Sequence, residues 1–223
     1  VKCRVQIGVT HQEIIRVAGK EKASLIIMGS HGHGYFRGAL LGSNTQSVMR
    51  QAKVPLLIER FRRVEGKEEL AFVSNSLFGK VLYPTDFSPN SQLALQVIEQ
   101  FQMGMTQEVV VAHVQDTRVL IPYLQGKLQE FNRVDTDRLA SIKDHLVSLG
   151  YRVRTILKTG IPFREINAIA EEENVSLIVM GSHGKSNVRE AYTGSETEFI
   201  TMQHVRPVLV IPRDWTAERR AKT

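Results

Sequence analysis

Several things are scarce or missing in this chain. Among its 223 residues there is one cysteine, Cys3, and one tryptophan. A lone cysteine excludes an internal disulfide framework and suits a reducing compartment, so the expected location is the cytoplasm. No apolar run approaches the ~18 residues that a membrane-spanning helix needs. The opening residues lack the charged start and long apolar stretch of a secretory signal. Val1 stands where an initiator methionine would, which predicts a gene product that begins earlier. The Walker frame Gly-x4-Gly-Lys-Ser/Thr is absent, since Gly184-Lys185-Ser186 has Val179 where the frame needs its first glycine, so this is not a Walker-type phosphate binder. The close-spaced glycine fingerprint of dinucleotide binders, the nucleophile elbow of hydrolases, and the SGGxD-type and HIGH-type motifs of nucleotide-activating enzymes are also missing.

What is present suits a packed protein. A hydrophobic share of 42% can build a core, and the length suits one large domain or two ordinary ones. The net charge is +6, concentrated in "ERFRRVEGK" (59–67) and in "RDWTAERRAKT" (213–223). Neither run interleaves aromatics as a nucleic-acid stacking surface would. They read as a solvated connector and a basic tail, and no strong nucleic-acid signal remains.

The dominant feature is a repeat. "GSHGHGYFRGALLGS" from Gly29 returns as "GSHGKSNVREAYTGS" from Gly181, an offset of 152 positions. The same offset aligns Gly8 with Gly160, Glu13 with Glu165, Ala18 with Ala170 and Pro55 with Pro207. It also aligns "SLIIMGSHG" from Ser24 with "SLIVMGSHG" from Ser176. Register held over so long a span marks duplication of a domain-sized unit. Residues 80–152 have no counterpart at or after Val1, so the first copy is only the rear half of the unit. The expected organisation is a rear half-domain over 1–60, a linker over 61–79, a complete domain over 80–213 and a tail over 214–223.

The second copy alternates strand and helix. "KVLYPTD" (80–86) reads as a buried strand ended by turn chemistry. Ser88 can cap the next helix and Pro89 can occupy its first position. "VVVAHV" (109–114) reads as a second strand, and a long helix is expected over 124–149 with Leu139, Ile142, Leu146 and Leu149 on its apolar face. "YRVRTIL" (151–157) alternates like a strand near an edge. A helix over 162–173, a buried strand over 176–180, a helix over 195–204 and a last strand over 207–211 complete the unit. In the first copy the expected strands are 1–7, 24–28 and 55–58. Continuous apolar strands separated by helices predict an α/β fold with a doubly wound parallel sheet. Cys3 then reads as a half-buried strand residue.

The glycine frame can serve an anion. Ligands of such sheets bind beyond the carboxyl ends of the strands, where both loops begin, after Met28 and Met180. Gly29 and Gly32 in one copy, and Gly181 and Gly184 in the other, permit close approach of a phosphate to backbone N–H groups. Gly42-Ser43 and Gly194-Ser195 then stand at helix starts, where unpaired N–H groups and the macrodipole favour negative charge. The structural alternative is that these glycines only make turns and the serines only cap.

The spacing G-x2-G-x9-G-S resembles the nucleotide-binding signature of the universal stress protein family. "VLYPTDFSPNS", "VVVAHV" and "LIVMGSHG" are similar to that family's first, second and fourth strand segments. The resemblance implies a five-stranded parallel sheet in the order 3-2-1-4-5, with ATP or ADP, with or without Mg, held between the ends of strands 1 and 4. It implies that Asp86 contacts the adenosine with Pro84 and Thr85 beside it, that Val114 lies near the adenine, and that Met180, Gly181, Gly184, Gly194 and Ser195 border the phosphates and ribose. Ser182 and His183 would add backbone N–H groups. Ser88 already supplies the helix cap, which would leave Asp86 to a ligand. The first copy has Gly29, Gly32, Gly42 and Ser43 but no visible equivalent of Asp86. The resemblance further implies pairing of the last strands, 55–58 against 207–211, within one chain or between two. Glu196 and Glu198 depart from the neutral "NTQ" of the first copy and would repel a triphosphate if turned inward.

The expected function is therefore adenine-nucleotide binding with regulation through occupancy and domain pairing. The alternatives are an interaction module without nucleotide, such as the soluble part of a transporter, and an enzyme, at most a slow ATPase, since no general base or arginine clamp is visible. His31 and His33 form H-x-H, but a zinc site lacks a third ligand.

Overall fold

The computed structural model describes residues 1–30, 41–59, 61–63, 70–72, 76–101, 105–120, 128–182, 197, 200, 201 and 206–215. In chain order the elements are α1 (Thr10–Lys20), β1 (Ile26–Gly29), α2 (Ser43–Gln51), β2 (Leu56–Glu59), β3 (Phe61–Arg63), β4 (Leu70–Phe72) and β5 (Lys80–Pro84). Then come α3 (Pro89–Ile98), β6 (Glu108–Asp116), α4 (Thr117–Leu120), α5 (Leu128–Ser148), β7 (Arg152–Gly160), α6 (Pro162–Glu172), β8 (Leu177–Gly181) and β9 (Val208–Ile211).

Seven strands form one sheet in the order β1-β2-β9-β8-β5-β6-β7. Every neighbouring pair runs parallel except β2 and β9, which run antiparallel. The fold is α/β with a parallel-dominated sheet. Strand periodicity divides its side chains between two cores. Leu82, Val110, Ala112, Ile178, Met180 and Val210 face one way and pack with Ile166 and Ile169 of α6. Val81, Tyr83, Val109, Val111, Val179 and Leu209 face the other and pack with Ala94 and Ile98 of α3 and Leu139 and Leu146 of α5. Each buried Val, Leu, Ile or Met side chain among them contributes roughly 1.5–3 kcal/mol relative to an exposed one. Leu139, Ile142 and Leu146 occupy the apolar face expected of the long helix, while Leu149 lies past its end and is 38% exposed.

The antiparallel seam has an internal symmetry. Leu57 pairs with Leu209, its equivalent in the repeat, and Leu56↔Val210 mirrors Ile58↔Val208 on either side. Met49 and Thr201, also 152 positions apart, meet beneath it with the Thr201 hydroxyl 3.6 Å from the Met49 sulfur. The ladder is thus related to itself by a local two-fold axis through Leu57 and Leu209.

Two expectations fail at the start of the chain. Residues 1–7 form no strand and are exposed, and Cys3 is exposed with them. A strand exists only by pairing. The equivalent stretch, in β7, pairs with β6 along its whole length, whereas among the described residues no strand lies beside 1–7. The charged connector carries a small ladder of its own, β3 with β4, pairing Phe61 with Phe72.

At the amino end of β5 the Lys80 ammonium is 2.8 Å from Oε2 of Glu173, and the Arg154 guanidinium is 2.9 Å from the same oxygen. The hydrogen bond from Lys80 holds the Glu173 carboxyl below the usual carboxylate range, opposed by burial and assisted by the charges of Lys80 and Arg154. A depressed folded-state pKa stabilises the protein above the unfolded value and is lost as pH falls through the folded one. Glu173→Gln is therefore expected to lower stability at neutral pH by about 1 kcal/mol or less. The gap to wild type should close on acidification below the usual Glu range, and thermal melts at stepped pH check both parts.

Candidate functional site

β5 and β8 are parallel neighbours, so their carboxyl ends open on the same side of the sheet. The connection from β5 runs through α3 toward β6, while β8 lies on the other flank of β5. The strand order thus reverses at β5, the kind of crevice where open α/β sheets bind ligands.

The β5 side of this crevice is tightly built. Pro84 ends the strand opposite Ala112. Thr85 follows, buried, with its N–H donating to the Ala112 carbonyl at 2.8 Å. Its hydroxyl donates to Ser91 Oγ at 3.0 Å and accepts from the Phe87 N–H at 3.0 Å. Ser91 Oγ donates to the Ser88 carbonyl at 2.8 Å, and Ser88 Oγ caps α3 by accepting from the Ser91 N–H at 3.2 Å. The Tyr83 hydroxyl donates to the Ser91 carbonyl at 2.8 Å. Burial pushes the Tyr83 phenol up to about 12, so it stays a neutral donor across physiological pH. These buried hydroxyls lock the first turn of α3 to the end of β5. Pro89 takes the first helical position, where its missing N–H costs nothing.

Asp86 sits at the rim, and one reading of it changes. The Ser88 cap does not leave its carboxylate uncommitted: Asp86 Oδ1 accepts the Ser88 N–H at 3.0 Å. A carboxylate two residues before an N-cap has the geometry of an Asx turn, so the loop orients Asp86 rather than merely sparing it. Phe87 follows at φ 59, a left-handed conformation rare for a bulky side chain.

On the β8 side, Met180 and Val114 of β6 both belong to the core face that packs against α6. Gly181 ends β8, and a Cβ there would lie 2.7 Å from the Asn90 carbonyl oxygen. The space that the glycine leaves is filled by the first turn of α3. In the direction a side chain would take, the group that approaches Gly181 is therefore the protein's own backbone. The reading of Ser182 is corrected: its N–H donates to the Ile211 carbonyl at 2.8 Å, extending the β8–β9 ladder, and is not offered to a ligand.

The end of β1 repeats this local design. Gly29 ends β1, and Ser30 N–H donates to the Glu59 carbonyl at 3.0 Å. Gly42 is the N-cap of α2, and Ser43 is its first helical residue rather than its cap. The Gly42 N–H is bound to the Ser30 carbonyl at 2.8 Å, so it is not among the open amides of that helix start. Ser43 and Asn44 are exposed at the first turn. His183, Gly184, Gly194, Ser195 and Gly32 lie outside the described residues, as do Glu196, Glu198, His31 and His33. Among the described residues no cluster of three or more His, Cys, Asp or Glu is placed to hold a metal ion.

One pair of residues escaped the sequence reading. Thr45 Oγ1 donates to the Gly29 carbonyl at 3.0 Å, and Thr197 Oγ1 donates to the Gly181 carbonyl at 2.9 Å. Each buried threonine is tied to the carbonyl of the glycine that ends a strand, Gly29 of β1 or Gly181 of β8. The signal was available, because Thr45 and Thr197 match at the repeat offset, two residues after Ser43 and Ser195.

The sequence profile of the universal stress protein family matches residues 1–60 and 77–212. Universal stress protein MJ0577 of Methanocaldococcus jannaschii is 35% identical over 156 residues, covering 61% of this chain and 96% of that protein. A solved structure of MJ0577 superposes with a TM-score of 0.59 at 37% identity, over 63% of this chain and 99% of that one. A universal stress protein from Archaeoglobus fulgidus superposes with a TM-score of 0.64 at 29% identity, over 91% of this chain and 65% of that one.

Overpacking at Gly181 has a measurable consequence. Gly181→Ala forces a methyl against backbone that cannot rotate aside, at an expected cost of about 1–3 kcal/mol. Denaturant unfolding of this variant should show a lowered midpoint with an unchanged slope.

Proposed function

Because the chain belongs to the universal stress protein family, we propose that it binds an adenine nucleotide, ATP or ADP, at the carboxyl ends of β5 and β8. The observation that carries this reading is the reversal of strand order at β5, which leaves a crevice at the carboxyl ends of β5 and β8, where Pro84–Asp86 and Met180–Ser182 follow the shared ladder. In this reading Asp86 contacts the adenosine, Val114 lies near the adenine, Met180 borders the ribose, and Gly184, Gly194 and Ser195 take the phosphates with or without Mg. Gly29, Gly32, Gly42 and Ser43 would form only the phosphate part of a second site.

Function then follows from linkage rather than turnover. A nucleotide that binds only the folded state stabilises it by about 2.7 kcal/mol at a hundredfold excess over Kd. Residues 1–60 would be the rear half of the unit that residues 80–213 hold complete, paired with it through β2 and β9, and occupancy of the site would be felt at the seam. We place this activity in the cytoplasm. Among the described residues no helix is long and apolar enough to cross a membrane.

A second reading, an interaction module without nucleotide, draws support from Gly181 and Ser182, whose special features serve α3 and β9. Calorimetric titration with ATP, ADP and AMP separates the two. We expect saturable binding to wild type and at least tenfold weaker binding to Asp86→Ala, about the loss of one charge-assisted hydrogen bond to the ligand. Negligible heats with all three nucleotides would leave the interaction module. Steady-state phosphate release above background, abolished by Asp86→Ala, would instead make it an enzyme.

A further inference from the structure

We propose that His113 is a positioning residue for this site, holding the Thr85–Ser88 turn in the shape that presents Asp86. The inference rests on reading that turn as the adenosine side of a nucleotide site. On β6, His113 points to the opposite face from Ala112 and Val114 and is buried, 8% exposed. A buried imidazole must find partners. Its Nδ1 lies 2.7 Å from the Thr85 carbonyl oxygen. A carbonyl only accepts, so Nδ1 carries the hydrogen and donates it.

The bond falls where the backbone ladder stops. Pro84↔Ala112 is the last β5–β6 pair, and the Thr85 N–H still reaches the Ala112 carbonyl. One residue further the chain turns toward α3, and no backbone donor of β6 meets the Thr85 carbonyl there. His113 supplies that donor from a side chain, so both peptide groups of Thr85 are tied to β6. The imidazole also lies against the Phe87 ring, centroids 4.5 Å apart and planes tilted by 44°. Phe87 is the residue in the left-handed conformation, and the Arg138 guanidinium covers its ring at 5.3 Å. The strained residue is thus gripped between β6 and α5 immediately after Asp86.

The imidazole is itself held from behind. Asp135 Oδ2 is 3.5 Å from Nε2, too long for a hydrogen bond but within ion-pair range of a protonated ring. The same oxygen accepts from Gln115 Nε2 at 3.0 Å, and Gln115 Oε1 accepts from the Thr159 hydroxyl of β7 at 3.3 Å. Arg138 Nη1 lies 3.6 Å from Asp135 Oδ1. The turn that bears Asp86 is therefore connected through His113 and Asp135 to β6, β7 and α5.

The test compares His113→Asn with His113→Gln in the full chain. Asn puts an amide N–H near the place of Nδ1, where the Thr85 carbonyl can accept it. Gln puts its amide nearer the place of Nε2, although its bulk is closer to that of histidine. A role in packing alone favours Gln, and a role in holding Thr85 favours Asn. The Asn variant should bind ATP, ADP and AMP within about threefold of wild type, and the Gln variant about tenfold more weakly, the scale of one lost hydrogen bond. The loss should be equal for the three nucleotides, since the turn faces adenosine and not phosphate. In nucleotide-free protein, amide exchange at Phe87 and Ser88 should quicken about tenfold in the Gln variant and not in the Asn variant, with Val81 and Val110 unchanged. Equal behaviour of the two variants in both measurements overturns the proposal, as does a better-binding Gln variant. If wild type binds none of the nucleotides, the nucleotide reading falls by itself and amide exchange alone decides whether His113 holds the turn.

Discussion

The structure depends on β5 being paired on both flanks by parallel strands. Val81, Leu82 and Tyr83 are fully buried, and their backbone runs between β6 and β8 with helices over both faces. Parallel strands in that situation cannot slip: a shift of one residue would exchange the two core faces and drive Lys80 inward. The register of β5 therefore sets where the chain leaves the sheet, opposite Ala112 and next to the end of β8. The candidate site is what this exit produces.

The turn after Pro84 follows from the exit. Once pairing stops, buried peptide groups need other partners. Thr85, Ser88 and Ser91 supply hydroxyls, and His113 supplies a ring N–H. Three hydroxyls and an imidazole buried in so small a volume are cooperative, because each orients its neighbour. Asp86 lies just outside this plug, with one carboxylate oxygen directed by the Ser88 N–H. In the proposed reading this rim carboxylate, aimed by the turn, meets the nucleotide, and the left-handed Phe87 is the local strain that accompanies the turn.

The seam between β2 and β9 adds a second organising element. Equivalent leucines, Leu57 and Leu209, face each other at its centre. An antiparallel ladder between two strands of matching sequence closes on itself, since each side satisfies the other's backbone groups. It also covers strand edges that would otherwise be open to pairing. The Thr45 and Thr197 latches stand at equivalent places on either side, so both glycine loops begin from strand ends fixed in the same way.

The sequence by itself determined the α/β class, the strands within residues 80–211, the cap at Ser88 with Pro89, and the offset between its matching segments. These features depend on residues close together in the chain, where strand and helix periods and capping chemistry are written directly. Tertiary structure decided the rest. It filled the space beside Gly181 with the Asn90 carbonyl, gave the Ser182 N–H to Ile211, committed an Asp86 oxygen to the turn, and left residues 1–7 without a strand. At Gly181 and Ser182 the deciding group belongs to a helix or strand remote along the chain. The donor that His113 provides to Thr85, 28 residues away, became visible only once β6 was laid beside β5. Local pattern tells a residue which face it occupies, and only the packed sheet tells it what stands opposite.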